Sequence, residues 1–295
     1  GCGRYLTTPR GADVLRQRVQ ADARIDALDY GEATRVGGVT VSLHPAGHVL
    51  GSAQVRIEHH GEVWVVSGDY KVDPDVTCRA FEPVPCHMFI TEATFALPVY
   101  RWPAAGEVFE QINAWWRSNR EAGRTSVLLG YALGKAQRLI AGVDAGIGPI
   151  LAHGAVAKFV EVYREAGVGM PEVRPADAEQ AKAHRGEALV VAPPAAAGSP
   201  WLRKFGDVSL AMASGWMQIR GARRRRAIDR GFVLSDHADW PGLLHAVEQT
   251  GAERIGVTHG YTSVLSRYLN ESGRSAYVLP TRYEGEVDDS GEDER

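Results

Sequence analysis

Hydrophobic positions along the chain follow two periods, and the change between them marks its organisation. Residues 39–44, 54–58 and 62–67 are short runs rich in β-branched side chains, separated by glycine-bearing breaks. Runs of this kind predict an antiparallel β-meander. Residues 88–91 form one more short apolar run. From Gly106 onward the period lengthens, and Val108, Ile112, Trp115 and Trp116 fall on one helical face. Strand and helix patterns then alternate, with strands over 126–130 and 150–152 and helices over 134–143 and 155–166. The apolar run 189–192 stops at Pro193-Pro194, where regular structure ends. Residues 233–235 read as a strand, 241–250 as a helix with Pro241 at its start, and 255–258 as a strand. A further helix follows Gly260. The expected fold class is α/β, with a mid-chain α/β insertion into a first domain. The boundaries are expected near Pro103 and Arg226: a first domain over 1–103 and 227–284, an inserted domain over 104–226, and an acidic tail over 285–295.

Composition narrows the function classes. The 295 residues are 44% hydrophobic and 23% charged, the balance of a soluble globular protein. Disorder, collagen and a disulfide scaffold are excluded as overall descriptions. No uninterrupted apolar run approaches the roughly 18 residues of a membrane span, so no membrane partner is expected. Three cysteines, Cys2, Cys78 and Cys86, are few and odd in number, which favours a reducing, cytoplasmic compartment. The net charge of −3 argues against nucleic acid until its distribution is considered. Residues 284–295 hold seven acids and one Arg, and the rest of the chain is +3. The tail itself reads as a solvated end.

Candidate chemistry gathers where strands run out. His44-Pro-Ala-Gly-His48 is followed by Ser67-Gly-Asp69-Tyr70. A Gly before His48 lets the backbone turn and aim the imidazole. Asp69 likewise follows a Gly at a strand end. Together they could share a divalent metal, although two donors are not a site, and a loop His with a capping Asp is the plain alternative. Ser235-Asp236-His237-Ala-Asp239 places two acids about one His, with Asp239 also suited to cap the following helix. Thr258-His259-Gly260 repeats strand, His, Gly, and Glu92 ends the run at 88–91. Five such residues at five strand ends suggest one site at one sheet edge.

These strings together resemble the metallo-β-lactamase superfamily in its β-CASP nuclease branch. PAGHVLGSA is similar to that branch's third metal motif, with His48 as ligand, and SGDY to its fourth, with Asp69 bridging two zinc ions. TEATF looks like motif A with Glu92, SDHAD like motif B with His237, and THG like motif C with His259. GKAQR is similar to a helix start in the inserted domain, and SDHADWPGLL and TRYEGE look most like the bacterial ligase-associated DNA exonucleases. The resemblance covers nearly the whole chain. It implies an αββα metallo-β-lactamase sandwich with an inserted α/β β-CASP domain.

One motif of that branch is absent. A His-x-His-x-Asp-His string supplies ligands to both zincs and precedes the segment resembling RYLTTPRGADVL; this chain holds no such string. His59-His60 is no substitute, because adjacent residues on a strand point to opposite faces. The expectation is that a few dozen N-terminal residues are missing from this sequence, with a zinc-less relative as the rival reading. Residues 1–295 are then expected to bind metal weakly and to be impaired or inactive.

With a whole site, the resemblance implies zinc-dependent phosphodiester hydrolysis of DNA by an exonuclease of DNA repair. His48 would bind the first of two zincs, His259 the second and Asp69 both. His237 would be the general acid, held and charged by Glu92. An RNA-processing β-CASP ribonuclease is the same-fold alternative, because His at motif C is the RNA-type choice. A non-catalytic nucleic-acid-binding relative is the alternative of another class. An ATP-dependent DNA ligase and a helicase follow as partners from the resemblance alone.

Substrate contacts are sought among cations. Arg223, Arg224, Arg225 and Arg226 form the densest basic run, which could grip phosphates or simply be solvated. Lys135 and Gln137 open a helix after Gly134, a position that suits phosphate but also an ordinary helix start. Lys71 is a further candidate, with surface exposure as the default. Cys78 and Cys86 are expected to be structural, His44 to support rather than ligate, and His153 and His184 to lie at the surface.

Overall fold

The computed structural model describes residues 3–19, 23–219 and 228–281. The chain divides into two compact units: residues 1–101 with 236–295, and residues 102–235. Among the described residues there are three sheets, of two, six and seven strands. The fold is therefore mixed α/β.

The first unit opens with β1 (Arg4–Thr7), α1 (Pro9–Arg16) and β2 (Arg24–Ala27). β1 and β2 pair in parallel. α1 starts because Pro9 fixes the first helical φ and the Thr8 hydroxyl accepts from the Gly11 amide. β3 (Ala33–Val36), β4 (Val39–Pro45), β5 (Ala53–His59) and β6 (Glu62–Val66) form the antiparallel meander read from the sequence, with β3 as an extra leading strand. β5 and β6 are joined by His60 and Gly61 alone, both at positive φ, as a two-residue turn with matching twist requires. His60 thus belongs to the turn and not to a strand. The His59 and His60 rings lie 3.9 Å apart, where strand alternation would have separated them. β7 (Met88–Ala93) runs parallel to β6.

The second unit is a strand–helix alternation. α2 (Ala105–Glu121) precedes β8 (Thr125–Leu129), α3 (Lys135–Gly142), β9 (Ile150–Ala152) and α4 (Gly154–Glu165). β10 (Val173–Pro175), α5 (Ala178–Ala183), β11 (Leu189–Ala192), β12 (Val208–Ala213) and β13 (Arg230–Phe232) complete it. The six strands are all parallel, in the order β10-β9-β11-β8-β12-β13. Parallel strands are covered on both faces, so they read as continuous apolar runs. Leu128 and Val191 pack into one cluster with Ile112, Trp115, Trp116, Leu139 and Val156. Val127, Leu129 and Val190 point into the other, with Leu151, Phe205 and Met212. Trp115 and Trp116 are buried helix packing, as expected from their spacing.

The strand expected over 233–235 lies earlier, at Arg230–Phe232, where Ala211, Met212 and Ala213 of β12 pair with it. Beyond Phe232 the chain has left the sheet, and the division between units follows Ser235. The chain then re-enters the first unit as α6 (Trp240–Thr250), β14 (Arg254–Gly260), α7 (Thr262–Glu271) and β15 (Ser275–Val278). β14 lies between β7 and β15, parallel to both, which gives a seven-stranded sheet in the order β15-β14-β7-β6-β5-β4-β3. Val65, Phe89, Ile255 and Val257 of this sheet pack with Leu243 and Val247 of α6 and with Leu265 and Leu269 of α7. Among the described residues no helix is long and apolar enough to cross a membrane.

Candidate metal centre

β4 ends at Pro45, and the chain turns at Gly47, whose φ is +73°. A Cβ there would stand 2.3 Å from the Lys71 carbonyl oxygen, so only glycine fits both the angle and the space. His48 follows. Its amide and that of Val49 donate to the Ser52 hydroxyl at 3.1 and 3.2 Å, which closes the loop. The His48 ring places Nδ1 2.8 Å from the Asp236 carbonyl oxygen. A carbonyl only accepts, so Nδ1 carries the proton and Nε2 keeps its lone pair. Nε2 lies 4.0 Å from Oδ2 of Asp69. Asp69 stands just beyond β6, after Gly68 at φ +58°, and its side chain is 41% exposed.

Beside this pair sits Glu92, near the end of β7 with its carboxylate buried. The Tyr70 amide donates to Oε1 at 2.9 Å, and the Thr94 hydroxyl donates to Oε2. Nδ1 of His237 donates to the same carboxylate, 2.9 Å from Oε2 and 3.0 Å from Oε1. His237 is held from both sides along the chain. The Ala238 amide donates to the Tyr70 carbonyl at 2.7 Å, and Asp239 caps α6 by accepting from the Gly242 amide at 2.9 Å. The cap is the one its sequence position suggested. The His48 and His237 rings meet edge to face at 4.8 Å, and Phe95 approaches His237 at 5.9 Å.

The two imidazoles are driven in opposite directions. Burial alone would lower His237, but the Glu92 charge and hydrogen bond outweigh it and push its pKa up to about 9. For His48, burial comes first and the neighbouring His237 cation adds to it, so its pKa falls below the ordinary value. Burial would raise Glu92, yet His237, Thr94 and the Tyr70 amide hold it below the usual carboxylate value. One ring is therefore a cation with a fixed partner, and the other is neutral with a free lone pair. Pairs pushed apart in this way suit an acid beside a ligand.

Among the described residues, His48, Asp69 and His237 offer donor atoms that all lie within 4.8 Å of one another. Of these, the neutral His48 imidazole and the Asp69 carboxylate are donors that suit zinc, whereas the His237 ring, held as a cation by Glu92, adjoins them as an acid. The Asp236 carbonyl on Nδ1 of His48 is the kind of outer contact that orients a ligating imidazole. Nδ1 of His237 is committed to the Glu92 carboxylate.

The group differs from the expected ligand set of His48, Asp69 and His259: it includes His237, expected as the acid, and does not include His259. The ladder between β7 and β14 pairs Thr258 with Glu92 and Gly260 with Ala93, so His259 is the extra residue of a bulge at φ +60°. It therefore stands beside the Glu92 rung without joining the donor cluster.

The expected substrate residues are placed differently. Gln137 is fully buried, and its side chain accepts from the Gly134 amide and donates to the Ala132 and Val156 carbonyls. Its amide is spent on the main chain, which corrects the expectation of a substrate contact there. Lys135 is also buried, packed against Gly130. Arg223, Arg224, Arg225 and Arg226 lie outside the described residues, as do Cys2 and the acidic tail. Lys71 is only 2% exposed, against the surface default, and pairs with Asp75 at 2.6 Å. Among the described residues neither Cys78 nor Cys86 forms a disulfide, and both are partly buried. His44 is held by the Ser42 hydroxyl at 3.0 Å, and His153 accepts from the Ala155 amide at the start of α4. Sequence reasoning missed Thr94, which lies in the turn just beyond β7. Nothing in the sequence signals the Asp236 carbonyl as a partner of His48.

No protein-family model matches the chain. Over 271 residues, 91% of its length, it is 31% identical to a Probable DNA ligase of Opitutus terrae, of which it spans 26%. It is 27% identical over 128 residues to Endoribonuclease YSH1 of Candida glabrata, a match that covers 43% of this chain and 16% of that protein. It is 30% identical over 123 residues to Endoribonuclease ysh1 of Schizosaccharomyces pombe, covering 41% of this chain and 16% of that protein. The chain thus spans about a quarter or less of the curated relatives it matches, which are named for nucleic-acid ligation and cleavage.

Proposed function

We propose that this chain carries the metal-dependent phosphodiesterase site of a β-CASP nuclease, acting on DNA as an exonuclease. In this reading the first unit is a metallo-β-lactamase sandwich and the second is the β-CASP insertion. The observation that carries it is the convergence of His48, Asp69 and His237 within 4.8 Å, with Glu92 behind His237. The relatives named as endoribonucleases support nucleic-acid hydrolysis, and the relative named as a DNA ligase, matched over 91% of this chain, favours DNA.

Zinc at this centre supplies a Lewis acid for a phosphoryl oxygen and lowers the pKa of water. The chain's own residues account for the rest. His48 presents the Nε2 lone pair, fixed by its proton bond to the Asp236 carbonyl. Asp69 presents a half-exposed carboxylate. His259, beside Glu92 on the bulge, is assigned to a second metal position. His237, kept protonated at neutral pH by Glu92, delivers a proton to the departing 3′ or 5′ sugar oxygen. Glu92 remains ionised and holds the ring, so that the ring regains its proton from water after each turnover. A DNA ligase and a helicase are the proposed working partners.

RNA is the second reading, favoured by the endoribonuclease matches. The test is uptake of zinc and cleavage of end-labelled duplex DNA, single-stranded DNA and RNA by the protein as its gene encodes it. About two zinc ions per chain are expected. DNA should be shortened from an end, with loss of activity on chelation, and His237→Ala should retain zinc but lose rate. Preferential RNA cleavage would move the assignment to the second reading. Nucleic-acid binding with neither zinc uptake nor cleavage would make the chain a non-catalytic relative.

A further inference from the structure

The loop that follows Asp69 is tied down by an ion pair that a surface loop does not need. Lys71 is 2% exposed, and its Nζ donates to the Asp73 carbonyl at 2.7 Å and to Oδ2 of Asp75 at 2.6 Å. The other oxygen of Asp75 accepts from both the amide and the hydroxyl of Thr77. The Asp75 side chain retains little exposure of its own. Such a pair is costly to desolvate and, once buried, costly to break.

What the pair holds is the floor under His48. The Lys71 amide donates to the Ala46 carbonyl at 3.1 Å, and the Lys71 carbonyl is the atom that leaves Gly47 no room for a Cβ. The thiol of Cys78, three residues past Asp75, donates to the Gly47 carbonyl at 3.3 Å. The Glu82 amide donates to the Pro45 carbonyl at 3.2 Å, and the amide of Gln54 bridges the Pro45 and Glu82 carbonyls. Phe81 stacks on Tyr70 at 5.0 Å, and the Tyr70 amide in turn holds Glu92. Lys71, Cys78, Phe81 and Glu82 therefore clasp residues 45–47, just ahead of His48. The clasp begins two residues after Asp69 and ends against the strand that delivers His48.

We infer that Lys71 and Asp75 are positioning residues that set the separation of His48 from Asp69, and with it the grip of the site on a divalent metal. The inference rests on the metal-centre reading given under Proposed function. Neither residue touches the reacting atoms. Lys71 fixes the main chain leading away from Asp69. Asp75 closes the 71–77 turn, which brings Cys78 onto Gly47. Loosening the turn would let His48 and Asp69 move independently, and partners of this outer kind commonly change metal affinity by about 10–100-fold.

The test compares the parent protein with Asp75→Asn, Lys71→Met and the conservative Lys71→Arg. Zinc affinity is read by competition with a chromophoric chelator. The Nδ1 proton of His48 is read by NMR in the metal-free protein, and folding by circular dichroism and melting. The expected result is an affinity loss of about 10–100-fold in Asp75→Asn and Lys71→Met, partial recovery in Lys71→Arg, and a broadened or lost His48 proton signal at a temperature where all variants are folded. Melting temperatures that fall while zinc affinity and the His48 signal match the parent would overturn the inference, leaving a pair that only stabilises the fold. Absence of zinc uptake by the parent would instead defeat the metal-centre reading. The His48 proton would then decide the positioning role, retention in the variants refuting it and loss supporting it. Should a single variant fail to fold, Lys71→Arg and the double variant Lys71→Met with Asp75→Leu, which buries no lone charge, carry the same two readings.

Discussion

His48 donates its Nδ1 proton to the main-chain carbonyl of Asp236, the residue immediately before His237. The two rings of the site are therefore coupled through the backbone, by a bond between residues 188 positions apart in sequence. The acceptor is a carbonyl and not the Asp236 carboxylate, so the tautomer of His48 should not depend on that side chain. Asp236→Asn is expected to keep the downfield Nδ1 proton of His48 in NMR spectra. Loss of that proton in a folded Asp236→Asn protein would mean the carboxylate, and not the carbonyl, fixes the ring.

The His237–Glu92 pair sets a pH window. The folded pKa of His237, about 9, lies above its ordinary 6.5. Its contribution to stability is thus complete below about pH 6.5 and is lost as pH rises through about 9. The shift corresponds to at most about 3 kcal/mol, shared with Glu92 and counted once. Denaturant midpoints of the metal-free protein should fall between about pH 6 and pH 10. In Glu92→Gln only the Asp69 and Asp236 charges still oppose burial, so the His237 pKa should fall well below about 9 and that part of the slope should shrink. An unchanged His237 titration in Glu92→Gln would show that another group holds the charge.

How much of this was legible depends on whether a residue's neighbours are local. The meander over β4, β5 and β6 was legible because apolar, β-branched runs are separated by turn residues. The Asp239 cap was legible because its partner, the Gly242 amide, is three residues away. The helical face of Val108, Ile112, Trp115 and Trp116 was legible for the same reason. β1, β2, β3 and β15 carried no such signal, since each is four residues long and largely exposed or half-exposed. Lys71 was unreadable because its burial follows from how residues 71–82 close over residues 45–47. The His59–His60 pair failed because the turn, not the strand, claims His60. His259 was legible as a residue at a strand end, but the bulge that carries it is a property of strand pairing.

That bulge depends on Gly260. Its φ is +83°, and a Cβ would fall 2.4 Å from the Ala93 carbonyl oxygen, on main chain that cannot yield without parting β14 from β7. Gly260→Ala should destabilise the protein by roughly 2–4 kcal/mol, within the range of strained-backbone substitutions. It should also disturb Glu92, whose strand neighbour is Thr258. Chemical denaturation and the His237 titration check both parts. A Gly260→Ala protein with parental stability would mean that the bulge relaxes freely, and the placement of His259 would then owe nothing to it.

Gln137 separates a structural role from a substrate role at the start of α3. Its side chain accepts from the Gly134 amide at 2.8 Å and donates to the carbonyls of Ala132 and Val156 at 3.0 and 3.3 Å. Gly134 is at φ +81° and its own Cβ-less turn has no side chain to cap the helix, so Gln137 does the capping from the third helical position. Gln137→Leu preserves volume but leaves one amide and two carbonyls without this partner in a dry site. Each orphaned buried group costs about 1–3 kcal/mol, although relaxation and water recover part of the sum. A net loss of roughly 2–4 kcal/mol is therefore expected from denaturant melts. Because the side chain is wholly buried, affinity for a DNA oligonucleotide, measured by fluorescence anisotropy where the variant is folded, should stay within about twofold of the parent, a difference of less than roughly 0.5 kcal/mol. A large loss of DNA affinity at parental stability would return Gln137 to the substrate surface and reverse the assignment.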